Sequence, residues 1–229
     1  MFIVGLTGGI GTGKSTASKF FLENDIPVVD ADTMARKVVE PGRKAWKAIR
    51  KEFGESVFYD DGQLNREALG DLIFNDVDKR KKLNEITHPE IYKEMLKAAW
   101  NHLLDGHQFI VMDLPLLFES GRMLNFLHKI IVVTCEEDQQ LERVIKRGQL
   151  SEERAKARIN AQMPLETKCN QAHFVLDNTE DIDHLKKQVE QLIVTLRASN
   201  AHWKMRIYFI ASMMLIFYLI IFLYSFLAF

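Results

Sequence analysis

The chain has 229 residues, long enough for one well-buried α/β domain with an insertion but not for two independent enzymes. Charged residues make up 27% and nearly cancel to a formal net of -1, so the basic footprint of a general nucleic-acid binder is missing and no nucleic-acid partner is expected. Two cysteines, Cys135 and Cys169, lack metal-ligand spacing and the density of a disulfide scaffold, which points to structural thiols in a reducing compartment.

The first predicted element, Phe2–Leu6, is a short apolar strand that runs directly into "LTGGIGTGKST". Gly8, Gly9, Ile10, Gly11, Thr12, Gly13, Lys14 and Ser15 fill the pattern G-x-x-x-x-G-K-[ST] in full, between a strand and a predicted helix, the context that gives this motif its meaning. Glycines let backbone amides converge on a phosphate, and the helix N-terminus adds a favourable dipole. In this arrangement Lys14 reaches the β/γ oxygens of a nucleotide, Ser15 offers a hydroxyl to Mg²⁺, and Thr16 belongs to the same cradle. A cleaved leader is not expected, because cleavage would remove the loop.

Pro27–Asp30 is the second strand, and "VVDAD" leaves Asp30 and Asp32 at its carboxyl end, the edge where open α/β sheets hold ligands. A carboxylate there can orient an attacking hydroxyl, and Asp also caps helices. Asp32 is assigned the base, and Asp30 or a neighbour the cap. From about residue 33 to 105 the sequence has helical periodicity without a strand, too long for a simple crossover, so an inserted helical substrate domain is expected.

Gln108–Asp113 is the third strand, ending in Asp113, a second metal-side candidate. Leu114-Pro115 follow it, so the water-activating Glu of hydrolytic ATPases has no counterpart, and no Asn-Lys-x-Asp tetrapeptide marks a guanine site. A kinase fits better than a hydrolase. Lys129–Thr134 and His173–Asp177 complete five strand candidates. Between them Leu141–Pro164 reads as two helices broken at Arg147-Gly148-Gln149, with Ser151 capping the second, and it carries Arg143, Lys146, Arg147, Arg154 and Arg158. Transition-state charge on a transferring phosphoryl group needs cations that arrive on closure. The excursion is therefore read as a lid over about 141–164, with Arg143 and Arg147 sharing a face.

After an amphipathic helix over 181–199, residues 207–229 contain no charged residue and would span roughly 35 Å as a helix, against about 30 Å of hydrocarbon. The expectation is a transmembrane tail anchor, with Trp203, Lys204 and Arg206 at the interface and the preceding domain facing the cytosol, at the endoplasmic reticulum or the mitochondrial outer membrane. The fold expected is an α/β P-loop kinase fold over residues 1–200, with a five-stranded parallel sheet, the helical insertion and the lid, followed by this tail.

Taken together, "LTGGIGTGKST", "VVDADTMARKVVEPG", "ITHPEI", "VMDLPLLFES" and "ARINAQMP" resemble the dephospho-coenzyme A kinase family in order and spacing over nearly all of residues 1–200, most closely its animal dephospho-CoA kinase domain-containing members. The resemblance implies ATP-dependent phosphorylation of the ribose 3′-hydroxyl of dephospho-CoA, with ATP and Mg²⁺ required. It implies Asp32 as the base, Arg143 as the lid arginine, Arg36 and His88 in the acceptor pocket, and Asn178 beside the adenine. No adenylyltransferase sequence accompanies these motifs, so only the last step of coenzyme A synthesis is expected. Two alternatives stay open: a P-loop kinase for another nucleotide-like acceptor, and a non-catalytic membrane-anchored nucleotide-binding protein. No protein partner is identifiable from the sequence.

Overall fold

The computed structural model describes residues 1–74 and 76–227, with side chains in the last helix described at 201, 203, 207, 208 and 210–221. In chain order the elements are β1 (Phe2–Gly8), α1 (Lys14–Glu23), β2 (Val28–Asp30), α2 (Ala31–Lys37), α3 (Lys44–Phe53), α4 (Arg66–Phe74), α5 (Val77–Leu104) and β3 (Phe109–Asp113). They continue with α6 (Leu117–Ser120), β4 (Lys129–Thr134), α7 (Glu137–Gly148), α8 (Glu152–Asn160), α9 (Leu165–Asn170), β5 (Phe174–Asp177), α10 (Ile182–Arg197) and α11 (Ala201–Leu227). Packing divides them into two units, Met1–Val28 with Leu103–Phe229, and Val29–His102.

The strands form a five-stranded sheet in the order β2-β3-β1-β4-β5, and β1 pairs in parallel with both β3 and β4. The register sets Leu6 beside Asp113 on one side and beside Ile131 on the other. The inner strands are apolar runs, as expected of a sheet covered on both faces. Val4, Leu6, Val111, Ile131, Val133 and Leu176 from the sheet are buried with Phe20 and Phe21 of α1 and with Leu185, Val189, Leu192, Ile193 and Leu196 of α10. The α10 residues recur at helical spacing, so one face of that helix is committed to the core. Asp181 caps α10, its carboxylate accepting the His184 amide at 2.8 Å.

In the second unit, Val38, Val39, Ala45, Ile49, Val57 and Leu69 form a separate core, with Leu83, Ile86 and Ile91 of α5 packed on it. Trp46 closes one end, its indole N–H donating to the Gly62 carbonyl at 2.8 Å while the Arg50 guanidinium lies 4.9 Å from its ring centre.

The C-terminal expectation is corrected. Among the described residues no helix is long and apolar enough to cross a membrane. Ala201, the first residue of α11, packs against the sheet core. The transmembrane tail anchor at 207–229, the membrane as partner, and the cytosol-facing placement at the endoplasmic reticulum or mitochondrial outer membrane are withdrawn with it. The side chains of Lys204 and Arg206, and those from 222 onward, lie outside the described residues.

Candidate active site

The turn from β1 into α1 is built to expose its own amides. Gly11 and Gly13 hold φ at 81° and 94°, a region open to glycine but strained for other residues. A Cβ on Gly13 would lie 2.1 Å from Asn178 Nδ2, so space as well as conformation demands glycine there. Gly13 is the N-cap of α1, and no side chain caps the helix. The amides of Lys14 and Ser15 have no intrahelical acceptor, and with the positive end of the helix dipole they form an anion-binding cradle.

Side chains from later in the chain hold the outer edge of this loop. Gln140 Nε2 donates to the Ile10 carbonyl at 2.8 Å, and the Ile10 amide donates to Gln162 Oε1 at 2.9 Å. Asn178 Nδ2 donates to the Thr12 carbonyl at 2.8 Å, and buried Lys168 donates to the Gly8 carbonyl at 3.3 Å. Thr12, itself fully buried, donates through its hydroxyl to the Gly9 carbonyl at 3.0 Å. Every one of these bonds uses a loop group other than the amides at the start of α1.

Lys14 forms an ion pair with Asp113, and both side chains are largely covered. Asp113 ends β3 next to β1, which is why two residues so far apart in sequence meet. Ser15 is exposed in the first turn of α1, and Thr16 is half-buried with its amide on the Gly13 carbonyl at 2.9 Å. An exposed hydroxyl one residue from a lysine that sits on a carboxylate is a donor set suited to Mg²⁺ beside a triphosphate.

Arg143 lies half-buried on α7, its Nη2 donating to the Asn178 carbonyl at 3.1 Å and to Gln139 Oε1 at 3.4 Å. Its Nη1 is buried without a hydrogen-bond partner, an orphan donor that a bound nucleotide could satisfy. Burial pushes the Cys135 thiol up, with the nearby Arg143 guanidinium acting against that shift. Arg147 is exposed in the last turn of α7, which Gln149 ends in a left-handed conformation, and Ser151 caps α8 by accepting the Arg154 amide. A cleft of about 800 Å³ between α7, α8 and the following turn touches the loop at Gly9. Its lining carries Glu137, Asp138, Glu152 and Glu166 against one cation, Lys156, a poor setting for a polyphosphate.

In the second unit Asp30 is the N-cap of α2: Oδ1 accepts the Asp32 amide at 2.8 Å and Oδ2 accepts the Thr33 hydroxyl at 2.9 Å. The Asp32 side chain is exposed in the first turn and is not consumed by capping. Arg36 is exposed near the end of α2. His88 is half-buried on α5, edge-on to Tyr92 at 6.1 Å, and precedes Pro89 within the helix. Nearby on α5, Glu94 accepts Lys37 at 2.8 Å and Arg43 at 3.3 Å, and Glu90 accepts Lys93 at 2.9 Å and Lys44 at 3.2 Å. Lys37 chiefly holds the Glu94 carboxyl below its ordinary range, and Lys93 does the same for Glu90.

Within the first unit the structure thus brings together Lys14 with Asp113, and Asn178 with both Thr12 and Arg143. Asp32, Arg36 and His88 all belong to the second unit. Gln140, Gln162, Glu119 and Lys168 were missed from the sequence. Gln162 sits inside the quoted "ARINAQMP", but nothing in that segment distinguishes a side chain that holds the loop from one that faces water.

Comparison with known proteins agrees with the geometry. A family model described as dephospho-CoA kinase matches residues 2–184. A Danio rerio protein named dephospho-CoA kinase domain-containing protein is 45% identical over 192 residues, covering 84% of each chain. A Bacillus cereus dephospho-CoA kinase is 44% identical over 191 residues, covering 83% of this chain and 95% of its own. A crystal structure from Thermus thermophilus superposes with a TM-score of 0.72 at 32% identity, covering 85% of this chain and 97% of the other.

Proposed function

The chain belongs to the dephospho-CoA kinase family, and on that premise we propose that it transfers the γ-phosphoryl group of ATP to the ribose 3′-hydroxyl of dephospho-CoA, giving CoA and ADP. The observation that carries this reading is the start of α1, which no side chain caps, with the Lys14 and Ser15 amides left to an anion and the Lys14 ammonium on Asp113. That is a cradle set for a triphosphate, and ATP is the phosphoryl donor of the family.

The roles follow from the chemistry of phosphoryl transfer, in which positioning and charge stabilisation dominate. Residues Gly8 to Thr16 bind the phosphates, and Lys14 meets the charge that grows on the γ-phosphoryl oxygens. Ser15 and Asp113 would hold Mg²⁺, which would supply charge neutralisation to the triphosphate. Asp32 accepts the proton of the 3′-hydroxyl as its oxygen bonds to phosphorus and the bond to the β-γ bridging oxygen breaks. Arg143 and Arg147 face the nucleotide from α7, with Asn178 on the adenine side. Arg36 and His88 contribute to the acceptor pocket within a substrate region over about 33–105, and residues 141–164 act as the lid.

The reading is tested by following ADP release from MgATP with dephospho-CoA against a panel of nucleosides and nucleoside monophosphates. Turnover specific to dephospho-CoA supports it; equal or greater turnover with another acceptor transfers the assignment to that acceptor.

A further inference from the structure

Lys168 is fully buried in the short helix α9, where an apolar side chain of similar length would fill the space at lower cost. A buried ammonium persists only when paired and hydrogen-bonded. Its Nζ lies 2.7 Å from Glu119 Oε1 and donates to the Gly8 carbonyl at 3.3 Å. The same Glu119 oxygen accepts the Met163 amide at 3.1 Å, and the preceding residue, Gln162, accepts the Ile10 amide. Burial draws the Glu119 carboxyl upward, but the bonds from Lys168 and from the Met163 amide outweigh it and leave the group below its ordinary range.

One short stretch, residues 162–168, therefore grips the phosphate loop at two points. Gly8 is the residue at which the loop leaves the sheet, in register with Val133 of β4, and Ile10 is two residues further on. With the Gly8 carbonyl and the Ile10 amide both held, the two peptide planes that meet at Gly9 are restrained, and the amides downstream are aimed before a nucleotide arrives. Such pre-organisation is where catalytic electrostatics gains its strength.

We propose that Lys168 and Glu119 are positioning residues for phosphoryl transfer: the ammonium clamps the Gly8 carbonyl and ties the phosphate loop to the turn that follows α8. Neither side chain needs to touch the nucleotide. This role rests on the kinase reading above and extends it to residues outside the binding motif.

The test uses the full chain and the variants Lys168→Met, Glu119→Gln and the double variant, each measured for thermal melting, affinity for a fluorescent ATP analogue, and turnover with MgATP and dephospho-CoA. A pair that only stabilises the fold would be replaceable by neutral side chains of the same shape, restoring melting and turnover together. The clamp predicts a different split. The double variant regains wild-type melting, yet kcat stays down by about a hundredfold and nucleotide affinity by about tenfold, because the Gly8 carbonyl still lacks its donor. Wild-type kcat in the double variant, or in folded Lys168→Met, overturns the proposal. Should Lys168→Met fail to fold, Glu119→Gln decides: a fall in kcat at wild-type melting supports the clamp, and unchanged kcat overturns it. If the wild-type protein itself does not turn over dephospho-CoA, the kinase reading has failed, and the affinity measurement still separates a clamp from a structural pair.

Discussion

Lys14 rests on Asp113, so the cation that should meet the γ-phosphate is held by the carboxylate assigned to the metal. Both side chains are mostly covered, at 16% and 6% exposure, and neither partner can be removed without leaving the other a buried charge. Lys14→Ala is expected to lower kcat/KM by about a thousandfold through lost charge stabilisation. Asp113→Asn should instead raise the Mg²⁺ concentration needed for half-maximal rate while ATP affinity without metal is kept. Steady-state rates over a Mg²⁺ titration check both.

Asp32 separates binding from chemistry. Its side chain is exposed and Asp30 performs the capping, so Asp32→Asn keeps α2 intact. Affinity for ATP should be unchanged while turnover falls by about a hundredfold or more, the range expected when a general base is lost. Turnover retained in that variant removes Asp32 from its role.

Gly13→Ala tests the cradle itself. An alanine at φ 94° costs about 1–3 kcal/mol. Its methyl group would also strike Asn178, which in turn holds the Thr12 carbonyl. A lower melting temperature together with lost nucleotide binding is expected, and calorimetry with an ATP titration reads both.

Glu90 and Glu94 link the second unit to pH. Their carboxyl groups sit below the ordinary range in the folded protein, held there by lysine and arginine partners, so folding is favoured while they are ionised. The contribution is present above the unfolded carboxylate value, about 4.3, and disappears as pH falls through the lower folded values. Glu94→Gln should therefore melt below wild type at pH 7, with the gap closing at acid pH.

The sheet and the phosphate loop were legible because their signals are local. The strands expected at Phe2–Leu6 and Lys129–Thr134 appear as Phe2–Gly8 and Lys129–Thr134, and the break at Arg147-Gly148-Gln149 is where α7 ends. Lys168 was not legible, since α9 is too short for periodicity and a lysine in a six-residue helix carries no mark of burial. The tail misled for a related reason. Apolar composition without charge predicts a membrane span, but among the described residues no helix is long and apolar enough to cross a membrane, and the first residue of α11 packs on the sheet core.

The central claim is that the amides at the start of α1 hold ATP while a ribose hydroxyl attacks its terminal phosphorus. The most direct measurement incubates the full chain with MgATP and dephospho-CoA and follows the product by phosphorus NMR, with Lys14→Ala as control. A new phosphomonoester signal at the ribose 3′ position, formed in step with ADP and absent in the control, is the predicted result. ADP formed at the same rate with and without dephospho-CoA, with no such signal, would contradict the account.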